Sequence, residues 1–186
     1  MSDFYEIFGL PRSLNLSLDD LQQRFYSLSR ELHPDRFMRQ PEAERQKALD
    51  MSSALNDAYR TLKDPIKRAQ YLLGLEGFDV GEQRSKDVPP ELLEEVFELN
   101  MALEEMRGGD DSARPQLEQA EKNFAGMLAG SDQELAALFA KYDAAPSRDV
   151  LGEIRNVLNR RKYISNLVSE VQKTLETSHQ QPTTSN

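Results

Sequence analysis

Pro34 stands between two runs whose apolar residues recur in steps of three and four. Leu18, Leu21, Phe25, Leu28 and Leu32 make the stripe of the first run; Ala48, Met51, Leu55, Ala58 and Leu62 make that of the second. Such spacing gathers the apolar side chains of each run on one helical face. Proline has no amide donor and drives the residue before it out of helical dihedrals, so the first helix must end at or near His33. Ser17 caps its start, with Asp20 three residues on, and Pro41 suits the first turn of the second helix, where a missing donor costs nothing. Two amphipathic helices joined by a short polar connection fold into an antiparallel hairpin. The small Ala48 and Ala58 permit close approach of the two stripes. The corner His33-Pro34-Asp35-Arg36 is thereby displayed at one end of the hairpin.

The flanks extend the helical pattern. Ser2 or Asp3 caps a short first helix that buries Phe4, Ile7 and Phe8 and stops at Gly9 and Pro11. Asp64-Pro65 opens a fourth helix, IKRAQYLL, that ends at Gly74. Gly77, Gly81, Pro89 and Pro90 then punctuate the chain. A fifth helix runs from about Glu91 to Arg107, closed by Gly108-Gly109. A sixth begins near Ser112 and Pro115 and carries Leu117, Phe124, Leu128, Leu135, Leu138 and Tyr142, with Gly126 and Gly130 as its weakest point. Ser147 caps the seventh, whose apolar series from Val150 to Leu175 is interrupted by Arg161. The expected fold is all-α: an N-terminal helical domain over residues 1–75, a linker at 76–90, an antiparallel three-helix bundle over 91–176, and a disordered tail at 177–186, where apolar residues are lacking.

Composition removes several function classes. Without cysteine the sequence offers no disulfide, thiol chemistry or thiolate site for a metal or an iron-sulfur cluster, and two histidines, His33 and His179, make a poor zinc site. No cofactor or metal is expected. No apolar run approaches the length of a membrane span, and the acidic, amphipathic start MSDFYEIFGL is unlike a signal peptide, so the expected compartment is the cytoplasm. Residues 1–74 carry balanced charge, so the whole net charge of −9 falls on the remainder. That acidity repels phosphate backbones, and no nucleic-acid partner is expected.

Two stretches carry candidate function. In the fifth helix, Leu92, Val96, Leu99, Leu103 and Met106 form a core stripe, while Leu93, Phe97 and Met101 form a second row bordered by Glu94, Glu98 and Glu105. The second row is either a partner surface or packing against the linker or the first domain. At the corner, His33, Asp35 and Arg36 are either helix-end and capping residues or a displayed contact site. A hydrolase built on His33 and Asp35 is disfavoured, because two residues flanking a proline at a loop tip lack a pocket and an orienting third group.

The corner tripeptide, set between helices of these lengths with short helices before and after, resembles the signature loop of the J-domain in DnaJ-type co-chaperones. The segments L-K-D-P-I-K-R-A-Q-Y-L-L at residues 62–73, G-F-D at 77–79 and L-L-E-E-V-F-E-L at 92–99 extend the likeness. Over residues 2–176 the chain resembles the HscB family, J-type co-chaperones of iron-sulfur cluster assembly. The resemblance implies a non-enzymatic protein with two partners. A heat-shock-70-class chaperone (HscA-like), whose ATPase is stimulated, would meet His33, Pro34 and Asp35, with Arg24, Arg30 and Arg36 nearby. An iron-sulfur cluster scaffold protein (IscU-like) would meet Leu93, Phe97, Glu98, Met101 and Glu105, with Tyr163 from the last helix. Phe25, Tyr26 and Ser27 replace the basic cluster of many J-domains; Glu94 and Met101 also depart from the family's usual types. The alternative is a generic J-domain co-chaperone that recruits other clients.

Overall fold

The computed structural model describes residues 3–78 and 88–178. Among them every regular element is helical: α1 (Phe4–Phe8), α2 (Leu18–Glu31), α3 (Glu42–Lys63), α4 (Pro65–Leu75), α5 (Leu93–Arg107), α6 (Arg114–Ala144) and α7 (Arg148–Ser178), with single 3-10 turns at Pro34–Phe37, Pro90–Leu92 and Asp111–Ala113. The chain forms two compact units, Met1–Val80 with Phe139–Leu151, and Gly81–Leu138 with Gly152–Asn186. Residues 79–87 of the expected linker and 179–186 of the expected tail lie outside the described residues. The last helix reaches Ser178, with the Thr177 hydroxyl donating to the Lys173 carbonyl at 2.7 Å.

In the first unit, α1 is fixed by a reciprocal cap. The Asp3 carboxylate accepts from the Glu6 amide and the Glu6 carboxylate from the Asp3 amide, while Gly9 closes the helix with a left-handed φ of 60°. Tyr5, rather than Phe4 or Ile7, joins Phe8 in the core. Its hydroxyl donates to the Ser13 carbonyl at 3.1 Å, so an aromatic ring is buried with its polar tip satisfied. Phe4 stacks on Tyr71 with centroids 4.3 Å apart, and Phe25 of α2 stacks on Tyr59 of α3 at 4.1 Å. Leu21, Leu55, Ala58 and Leu62 are buried in the hairpin, whereas Leu18 and Met51 remain about half exposed. Asp64 accepts from the amides of Ile66 and Lys67 and starts α4 at Pro65. Arg68 is 5% exposed, and its guanidinium donates to the carbonyls of Leu14 and Leu62 at 2.9 and 2.5 Å.

The second unit packs α5, α6 and α7 around Val96, Leu99, Leu103, Leu117, Phe124, Ile164 and Val171. Gly126 and Gly130 do not break α6, which continues for 31 residues. Each glycine costs a helix roughly 1 kcal/mol, and burial of Phe124 and Leu135 on either side offsets that. Arg161, out of place in an apolar series, reaches Asp132 of α6 at 2.6 Å, and its neighbour Arg160 pairs with Glu134. Arg107 of α5 pairs with Glu170 of α7 at 2.7 Å.

Candidate functional site

The corner is built by three local decisions. The last intrahelical bond of α2 runs from the Leu32 amide to the Leu28 carbonyl at 3.0 Å. His33 then adopts an extended backbone, φ −61° and ψ 132°, as the residue before proline must. Pro34 opens a 3-10 turn that the Arg36 amide closes onto the His33 carbonyl at 3.0 Å. The imidazole folds back over this turn, with Nδ1 accepting from the Asp35 amide at 3.3 Å. His33 is therefore its own turn's cap. Its ring and the Asp35 carboxylate, 3.4 Å apart, stay 60% and 77% exposed. Both side chains are thereby displayed to solvent at the end of the hairpin.

The three nearby arginines differ. Arg30 and Arg36 are exposed and make no side-chain hydrogen bond or ion pair among the described residues. Arg24 is engaged inside the unit: its Nε meets the Asp20 carboxylate at 3.0 Å, and its terminal nitrogen donates to the Phe8 carbonyl at 3.0 Å. It satisfies a carbonyl that the end of α1 leaves without a helical partner. Beside the corner lies a groove of about 220 Å³ lined by Leu32, Pro34, Phe37, Met38, Ala48 and Leu49, with Glu42 and Arg45. Met38 and Leu49 of this groove are exposed. Their only signal in the sequence is that they are apolar yet off the periodic stripes.

On α5 the two rows separate as periodicity requires. Leu92, in the 3-10 turn just before α5, and Val96, Leu99, Leu103 and Met106 are buried, whereas Leu93, Phe97 and Met101 are 56%, 67% and 50% exposed. Glu94, Glu98 and Glu105 border the exposed row and are themselves exposed. Successive side chains of that row are four residues apart, so they make a continuous apolar strip along one face with carboxylates beside it. Tyr163, on α7, packs against the core of the unit and is partly buried; burial, with Glu170 nearby, pushes its phenol above the ordinary range. Among the described residues no group of acidic or histidine side chains is arranged to hold a metal ion, and no helix is long and apolar enough to cross a membrane.

The comparisons divide the chain in two. A family model described as the DnaJ domain matches residues 3–71, and one described as the HSCB C-terminal oligomerisation domain matches residues 88–172. Among solved structures, chaperone HscB from Vibrio cholerae is similar over 95% of this chain and 99% of its own, at 28% identity and a TM-score of 0.65. The human co-chaperone protein HscB shares the fold at 24% identity and a TM-score of 0.69, over 94% of this chain and 83% of its own.

Proposed function

The chain belongs to the HscB family of J-domain co-chaperones of iron-sulfur cluster assembly, and from that premise we propose that it is a non-enzymatic adaptor working in the cytoplasm. It binds an iron-sulfur cluster scaffold protein, delivers it to a heat-shock-70-class chaperone and stimulates that chaperone's ATPase. The observation that carries this reading is that two exposed surfaces of different chemistry stand on different compact units: a charged corner on one and an apolar strip edged with carboxylates on the other.

Each surface suits its proposed partner. The corner presents the Asp35 carboxylate on a preformed turn to a cationic group of the chaperone, with Arg30 and Arg36 meeting acidic surface around it. A hydrogen bond to a charged group contributes about 1.5–3 kcal/mol, and complementary surface charge speeds encounter. The strip offers Leu93, Phe97 and Met101 as anchors that lose water on binding, while Glu98 and Glu105 orient the scaffold and Tyr163 adds an aromatic from α7. Bringing the scaffold with the adaptor raises its concentration at the chaperone, and the corner contact shifts the chaperone toward the state that follows hydrolysis. The cluster is cargo carried by the scaffold; this chain has no cysteine with which to hold it.

The test mixes the protein with the chaperone and the scaffold separately and together. A one-to-one complex with the scaffold by light scattering, and ATPase stimulation that rises further when the scaffold is present, are the expected results. Stimulation without scaffold binding would identify instead a generic co-chaperone that recruits other clients.

A further inference from the structure

Asp143, near the carboxyl end of α6 and within the first unit, accepts three hydrogen bonds from the loop that leads into α2. The Ser13 hydroxyl, the Leu14 amide and the Asn15 amide each donate to its carboxylate at 2.8 Å. Other side chains hold the loop's carbonyls. Arg68 donates to that of Leu14 at 2.9 Å and Tyr5 to that of Ser13 at 3.1 Å, and the Leu14 side chain is fully buried. Loop peptide groups have no helix or sheet to pair with, so the groups that do pair with them set where the loop lies. Two residues past Asn15 the Ser17 hydroxyl accepts from the Asp20 amide and α2 begins. That helix carries Arg30 and ends at the His33 corner.

We infer that Asp143 is a positioning residue for α2: its carboxylate fixes the loop at residues 13–15, and thereby the entry of the helix that presents Arg30 and the corner. The inference rests on the reading of that corner as the chaperone contact. A carboxylate suits the task because its two oxygens offer enough lone pairs for three donors, and charge-assisted bonds are the stronger kind. An amide of the same shape has one accepting oxygen and turns an N–H₂ group toward donors. Asp143→Asn therefore keeps the volume but gives up the acceptor at one of the two oxygen positions and the charge at both, weakening the hold.

The experiment uses the full chain with two substitutions, Asp143→Asn and the milder Ser13→Ala, which removes one donor. Hydrogen exchange at the Leu14 and Asn15 amides and chaperone ATPase stimulation, titrated against each variant, are read together. In Asp143→Asn these two amides exchange about tenfold faster while α3 keeps its protection. The half-maximal concentration for stimulation rises on the order of five- to tenfold, in line with loss of charge-assisted bonds, and the plateau stays near wild type because the corner is intact. Ser13→Ala moves both quantities less, in the same direction. A merely structural role predicts loss of α3 protection and of plateau instead. Faster exchange with an unchanged half-maximal concentration, or exchange that does not change, overturns the inference. Should Asp143→Asn fail to fold, Ser13→Ala with neither quantity moved does the same. Wild-type protein that fails to stimulate the chaperone removes the proposed function and this inference with it, whereas equal stimulation by wild type and variant removes the inference alone.

Discussion

Nδ1 of His33 accepts a hydrogen bond from the backbone amide of Asp35 at 3.3 Å, so the histidine of the corner shapes the turn that displays the carboxylate two residues later. The arrangement needs proline between them. Pro34 fixes its own φ and forces His33 into the extended backbone from which an imidazole can reach forward as a cap.

His33→Gln tests whether this geometry is what the chaperone reads. A glutamine carbonyl is longer and more flexible than an imidazole, so the cap weakens while the helices on either side keep their own bonds. Stability falls by no more than about 1 kcal/mol, the scale of a lost cap. The expected outcome is at least a tenfold drop in chaperone stimulation, with scaffold affinity unchanged by calorimetry. Full stimulation by the variant would take the corner out of the mechanism.

Arg24 and Arg30 lie on one helix and are expected to respond oppositely. Arg24 bonds to the Phe8 carbonyl and to Asp20, so Arg24→Ala leaves the end of α1 short of a donor and costs about 1–2 kcal/mol of stability, visible as a lower denaturation midpoint. Arg30 is exposed and makes no such bonds among the described residues; Arg30→Ala leaves stability within about 0.5 kcal/mol. If Arg30 meets acidic surface on the chaperone, its loss raises the half-maximal concentration for stimulation and weakens the dependence on salt. Equal midpoints for the two variants would contradict the structural role given to Arg24.

What the sequence reveals and what it hides divide along a physical line. Periodicity and the placement of Pro34 are local, and they are enough for the hairpin, the exposed corner and the two rows of α5. Burial of Tyr5 in place of Phe4 and Ile7 depends on where the Ser13 carbonyl lies, which no local pattern encodes. Asp143 meeting residues 13–15, and Arg68 turning inward to Leu14, are pairings across long stretches of chain between residue types that are usually solvated. Arg24 reads as a surface charge until the end of α1 is placed beside it. Met38 and Leu49, off every stripe, acquire meaning only when a groove forms between them.

Gly126 and Gly130 offer a stability test free of the partner question. A Cβ built at either position meets nothing within 4 Å, and both residues sit in the unbroken interior of α6. Replacing each with alanine removes backbone freedom from the unfolded chain without introducing a clash, a gain of about 0.5–1 kcal/mol per site. The double variant is expected to raise the thermal midpoint of the second unit by a few degrees. A lower midpoint would mean that α6 relies on its glycines for a contact or bend that the helix does not display.

Phe97 bears most directly on the second surface. It is the most exposed of the three apolar residues in its row and packs no core, so Phe97→Ala changes stability by less than about 0.5 kcal/mol. If the strip is the scaffold contact, truncating a central aromatic anchor weakens that complex by about 1–3 kcal/mol. Val96, its neighbour on the buried row, supplies the contrast: Val96→Ala opens a cavity in the core, so it lowers stability by more than Phe97→Ala does and affects affinity only as far as α5 shifts. Titration of the scaffold into both variants separates the readings. Unchanged affinity for Phe97→Ala would take Phe97 out of the scaffold contact and leave it an exposed apolar residue of α5.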